Sequence, residues 1–134
     1  MIRTDISKGF PLENAPLVHC ITNEVTCETV ANALLYVGAK PIMASDPREF
    51  EELFQQTDGL LLNIGHLSEE RGTSLLAASK LANSVHKPTV VDLVGYGVSR
   101  VRNQVGRSLV AENPTVVKCN ISELRNFCGL DRKS

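Results

Sequence analysis

Five short runs rich in Val, Ile and Leu, at Leu17 to Ile21, Lys40 to Met43, Gly59 to Ile64, Pro88 to Asp92 and Thr115 to Cys119, are each followed by a segment of helical length. Apolar runs without a polar alternation suit strands that are covered on both faces. Strand and helix in repeated succession form β-α units, which pack as a mostly parallel sheet with helices on both faces. The predicted fold class is therefore α/β, with one domain spanning residues 1–134.

Local helix signals agree with that frame. Asn23 is placed to cap a helix carrying Val30, Leu34 and Val37 on one side, closed by Gly38. Asp46-Pro47-Arg48-Glu49 has a cap residue, a proline at the first helical position and a glutamate at the third, a capping-box pattern that predicts a helix to about Thr57. Ser68-Glu69-Glu70 opens another helix, with Leu75, Ala78, Ala82 and Val85 at helical spacing before Lys87-Pro88 stops it. The last helix is expected over Ile121 to Cys128, leaving an edge or face of the sheet uncovered and open to association.

Composition narrows the function classes. Fourteen basic residues stand against 15 acidic ones and are dispersed along the chain, so the basic stripe of a nucleic-acid binder is missing. No apolar run approaches the ~20 residues that span a bilayer, and the first eight residues lack the apolar core of a signal peptide, so no membrane partner and a cytoplasmic location are expected. Cys20, Cys27, Cys119 and Cys128 form no C-x-x-C pair, which predicts small apolar fillers rather than zinc ligands. No P-loop is present, and Gly95-Tyr-Gly97-Val-Ser-Arg100 lacks the third glycine of a dinucleotide fingerprint.

In a parallel sheet, ligands bind outside the carboxyl ends of the strands. Asp92, Gly95 and Gly97 follow the fourth run, and Lys118, Asn120 and Glu123 the fifth, a collection suited to phosphate and Mg²⁺. Each also has a plainer use. Glu123 stands three residues after Asn120 and can complete a capping box, and Asp92 can tie the Gly95 turn. A second cluster follows the first three runs: His19-Cys20-Ile-Thr22-Asn23, Met43-Ala44-Ser45 and Asn63-Ile64-Gly65-His66. A thioether beside amides and small residues suits a small uncharged ring compound, although Met43 can equally fill the core. His19 and Cys20 are strand neighbours that point to opposite faces, which is poor geometry for an activated thiol.

Read together, Pro16-Leu-Val-His-Cys-Ile-Thr-Asn23, Gly38-Ala-Lys-Pro-Ile-Met43-Ala, Leu61-Leu-Asn63-Ile-Gly65-His-Leu-Ser68, Val90-Val-Asp92-Leu-Val-Gly95-Tyr-Gly97 and Lys118-Cys-Asn120-Ile-Ser-Glu123-Leu resemble the hydroxyethylthiazole kinase family. The resemblance implies a ribokinase-like α/β fold and a homotrimer with sites between subunits. It implies Mg-ATP-dependent phosphorylation of the hydroxyl of 4-methyl-5-(2-hydroxyethyl)thiazole, a thiamine-salvage step. Met43, Asn23 and Gly65 match the family's substrate side. Asp92, Glu123, Asn120 and Lys118 match its Mg-ATP side, with Asp92 and Glu123 nearest the metal and Lys118 standing where an arginine is usual. The family's catalytic residue lies in a Gly-Thr-Gly-Cys-type loop further along, so the chain resembles the N-terminal part, and no catalytic residue is assigned within it.

This sequence departs from the family pattern at two places. Tyr96 replaces a small residue in the glycine loop, and Lys118-Cys119 replaces Arg-Gly, exchanging a bidentate fork for a point charge. Both changes are expected to weaken nucleotide binding. Alternative expectations are an inactive short relative that binds thiazole or oligomerises, and a related vitamin kinase acting on a pyrimidine alcohol.

Overall fold

The computed structural model describes residues 5–130. Residues 1–4, part of the stretch read above for a signal core, and 131–134 lie outside it. After a 3-10 turn at Ile6–Gly9, the elements run β1 (Leu17–Ile21), α1 (Glu24–Tyr36), β2 (Lys40–Met43), a 3-10 turn (Pro47–Glu49) continuing into α2 (Phe50–Gln56), β3 (Gly59–Asn63), α3 (Glu69–Val85), β4 (Thr89–Asp92), α4 (Arg100–Ala111), β5 (Val116–Lys118) and α5 (Ile121–Phe127).

The strands form one sheet in the order β2-β1-β3-β4-β5, with every pairing parallel. Parallel neighbours need a crossover, and crossovers are right-handed in about 98% of cases. The first crossover runs toward β2 and the later ones the other way, so α1 lies on the opposite face from α2, α3 and α4. Adjacent residues of β1 record this: the His19 ring packs 5.3 Å from Phe50 and 5.8 Å from Phe54, while Cys20 shares a cavity with Cys27 of α1.

The two faces are covered unequally. Leu60, Leu62 and Val91 pack with Leu75, Ala78, Ala82 and Leu109 in one core, where burial of each large aliphatic side chain contributes roughly 1.5–3 kcal/mol. α1 buries no residue fully; Val30, Leu34 and Val37 are half-buried as its spacing predicts. At the far edge Val116 and Val117 of β5 are exposed.

Capping explains the helix ends. Ser68 accepts from Arg71 N to start α3, and His86, in the left-handed region, ends it while Lys87 N donates to Ala82 O. The capping box expected at Asp46 does not form. Its carboxylate accepts from Arg48 N at 3.0 Å and pairs with the Arg48 guanidinium at 2.6 Å, so the first turn tightens to 3-10 geometry. Those bonds hold the Asp46 carboxyl down at about 2.

Candidate functional site

The strand order reverses between β1 and β3, so the loops leaving these neighbours diverge and open a crevice at their carboxyl ends. Buried amides line it. Asn23 Oδ1 accepts from Thr26 N at 3.0 Å, capping α1, and its Nδ2 donates to Asn63 Oδ1 at 3.3 Å. Asn63 Oδ1 also accepts from Gly65 N at 2.8 Å, and its Nδ2 donates to Asp92 Oδ2 at 3.4 Å. A line of polar groups thus runs from β1 through β3 to β4. Gly65 is required by close approach, since a Cβ there would stand 2.7 Å from Asn23 Nδ2 and 2.9 Å from Asn63 Oδ1.

A cavity of about 370 Å³ opens beside this line, lined by Asn23, Met43, Cys20, Cys27, Ser45 and Arg71. Met43, half-buried at the end of β2, faces this cavity and is not part of the main core cluster. Gly65 lies behind Asn23 rather than on the wall. Burial, with Cys27 nearby as the lesser cause, pushes the Cys20 thiol up to about 11, so it stays protonated and unreactive near neutrality. On the other face His19 is fully buried with Nε2 2.7 Å from Ala44 O; its Nδ1 has no partner among the described residues, and burial lowers its pKa.

The second group forms beyond β4 and β5. Asn63, Asp92 and Lys118 occupy one register row across three strands. Asp92 Oδ1 accepts from Val94 N at 3.1 Å, and Oδ2 lies 3.4 Å from Lys118 Nζ. The carboxylate therefore both closes its own turn and meets a cation. Glu123 is 7% exposed and bonded at both oxygens, accepting from Gly95 N at 3.0 Å and Asn120 N at 2.8 Å. Asn120 Oδ1 accepts from Glu123 N at 2.8 Å, so the capping box is complete. A shallow cavity of about 480 Å³ lies over Gly95, Gly97, Val98, Asn120 and Asn126.

Tyr96 borders this cavity but turns its ring inward. It is 3% exposed, with its ring seated over Gly106 of α4 and 5.3 Å from Phe127 of α5. The missing side chain at Gly106 makes room for the ring, because a Cβ there would stand 2.8 Å from Tyr96 Cδ2.

Among the described residues, no three His, Cys, Asp or Glu side chains converge as a protein-held metal requires. Mg²⁺ commonly keeps several waters and takes only one or two carboxylates together with substrate phosphates. Asp92 fits that mode, since Oδ2 has only long contacts at 3.4 Å. Glu123 accepts one backbone N–H at each oxygen, which fixes the carboxylate and leaves each oxygen a second lone pair.

Three residues of this region escaped the sequence reading: Asn63 as the hub of the amide line, Arg71, and Arg102. Arg71 donates to Thr22 O, and Arg102 Nη1 to both Ile64 O and Val94 O at 3.1 Å. Each arginine is the third residue after a serine cap, where a cation opposes the helix dipole; that misplacement was the available signal.

Comparison with known proteins gives a consistent picture. The model of the hydroxyethylthiazole kinase family matches residues 12–134. The hydroxyethylthiazole kinase of Enterococcus faecalis is 67% identical over 90% of this chain and 44% of its own length. Hydroxyethylthiazole kinase 2 of Leuconostoc mesenteroides is 59% identical over 93% of this chain and 46% of its own. The solved hydroxyethylthiazole kinase structure from Pyrococcus horikoshii superposes with a TM-score of 0.86 at 39% identity, over 89% of this chain and 47% of that one. The chain thus spans under half the length of these relatives. The TorR receiver domain, with a TM-score of 0.54 at 16% identity, shares the fold alone.

Proposed function

The chain belongs to the hydroxyethylthiazole kinase family, and from that premise we propose that it supplies the acceptor side and part of the nucleotide side of a site that phosphorylates 4-methyl-5-(2-hydroxyethyl)thiazole from Mg-ATP. One observation carries the proposal: Asn63, Asp92 and Lys118 stand in one row, so an amide-held crevice and a charged strand end adjoin at the same sheet edge.

The ring sits in the crevice against Met43, with Asn23 and Asn63 presenting fixed amides and Gly65 backing them. The hydroxyethyl arm then points toward β4. The triphosphate lies over the Gly95-Gly97 loop and Asn120, with Lys118 offsetting phosphate charge. Mg²⁺ supplied with the nucleotide would offset charge on the phosphate oxygens, and Asp92 and Glu123 are the residues that would hold it. In-line attack of the alcohol on the γ-phosphate needs the two reactants aligned more than it needs covalent help from the protein, so rigid placement of both sides is this chain's contribution. The same proposal makes the protein a cytoplasmic thiamine-salvage enzyme that works as a homotrimer.

The test incubates the protein with the thiazole alcohol and Mg-ATP and follows the phosphorylated alcohol and ADP by mass spectrometry, beside calorimetric titration with the alcohol alone. Saturable binding of the alcohol is expected from this chain, and equal amounts of both products from a protein that also carries the Gly-Thr-Gly-Cys-type loop. No binding of the alcohol at millimolar concentration would overturn the assignment of the crevice.

A further inference from the structure

We infer that Arg102 is a positioning residue that sets the spacing between the crevice and the phosphate loop; this rests on the function proposed above. The last ladder bond between β3 and β4 is Ile64 N to Asp92 O at 3.2 Å. Beyond it the two chains diverge, and the carbonyls of Ile64 and Val94 would end without a cross-strand partner. Arg102 Nη1 reaches both at 3.1 Å, so a side chain supplies one more rung where the backbone ladder stops.

The loop is built around that rung. Gly95 lies directly on the guanidinium, where a Cβ would stand 2.9 Å from Nη1 and 3.2 Å from Cζ. Ile64 immediately precedes Gly65, which backs the Asn23–Asn63 pair; Val94 immediately precedes Gly95, whose N–H is held by Glu123. One planar group therefore touches the residue before each of the two loops that hold the reactants. Among the described residues no carboxylate pairs with Arg102. Its position in the first turn of α4 opposes the helix dipole, so neither an ion pair nor the helix accounts for a cation here. The two carbonyls do.

Arg102 touches neither reactant, so its loss acts through alignment. Misplacement of about 1 Å can cost on the order of 10²-fold in rate. Arg102→Met keeps the apolar stem and removes the donors, whereas Arg102→Lys keeps a charge that can reach the carbonyls. The experiment measures kcat, and by calorimetry the separate affinities for the thiazole alcohol and for Mg-ATP, in the full protein and both variants. For Arg102→Met the expected result is a fall in kcat of roughly 10–100-fold with each affinity within about threefold of the parent, and recovery of part of the loss in Arg102→Lys. Amide hydrogen exchange at Gly65 and Gly95 supplies a readout independent of turnover, and both amides should exchange faster in Arg102→Met. Unchanged exchange at both glycines would overturn the inference, as would a kcat loss that only follows the fraction unfolded. If the parent protein does not bind the alcohol, the proposed function fails, while the exchange result still decides the role of Arg102 in holding the two loops together.

Discussion

The crevice between β1 and β3 and the charged end of β4 and β5 share one sheet edge but are built by different means. The crevice is held by buried amides: Asn23 and Asn63 are 7% and 9% exposed, and their amides bond each other and the backbone. The charged end is more open at its margin: the Lys118 side chain is 65% exposed, and all three residues of β5 are exposed, while Glu123 is 7% exposed. An uncharged ring is recognised by shape and by a few fixed polar groups, which must be desolvated and rigid beforehand. Phosphate charge is felt without such enclosure, so an exposed lysine suffices to begin with. The pair of regions teaches that the acceptor side rests on buried, mutually bonded amides, while the nucleotide side combines a buried, doubly bonded Glu123 with an exposed Lys118.

The sharpest way to break the contrast is Asn63→Ala. It leaves Gly65 N and Asn23 Nδ2 without their acceptor, and buried unpaired groups cost roughly 1–3 kcal/mol each, so unfolding in denaturant should show a loss of about 3 kcal/mol. A loss below about 1 kcal/mol would mean that the crevice is not rigidly held. Met43→Ala removes the thioether from the cavity wall, and calorimetry should find the thiazole alcohol bound about tenfold more weakly with ATP affinity unchanged. Equal weakening of both ligands would place Met43 in general packing instead. Lys118→Arg restores a bidentate fork and should tighten ATP binding by about threefold, an effect that fades in high salt because the group is exposed. The same change should leave stability nearly untouched, since exposed ion pairs contribute little.

The last expected effect is on pH. Burial lowers the pKa of His19 from 6.5 in the folded chain, so the unfolded chain binds the extra proton first as pH falls. Stability associated with His19 is complete above about pH 6.5 and declines with further acidification toward the lower folded value. Unfolding midpoints at pH 7 and pH 5 should therefore differ more in the parent than in His19→Gln; equal slopes would remove His19 as the acid-sensitive group of the α2 face.

The candidate site was legible in part. Asp92, Lys118, Asn120 and Glu123 were visible as polar groups closing apolar runs, and the structure brings them to one end of the sheet. The plain use of Glu123 as a helix cap was equally visible, because a capping box spans only three residues. Asn63 was seen within its motif but not as a hub, since its partners lie 40 residues back at Asn23 and 29 residues ahead at Asp92. The inward packing of Tyr96 was not legible for a similar reason. Its inward turn depends on the space at Gly106, on the next helix, and nothing near Tyr96 in the chain announces it.

The sequence by itself determined the strand–helix alternation, the bounds of β1 and β2, and the caps at Asn23 and Ser68. These follow from side-chain burial and hydrogen bonds between residues within one or two turns of each other. Only the tertiary structure decided that β1 lies between β2 and β3, which places the crevice, and that Arg102 joins Ile64 to Val94. Strand order is chosen by which faces can be buried together across the whole sheet, and an interaction spanning 38 residues leaves no periodic trace in the chain that makes it.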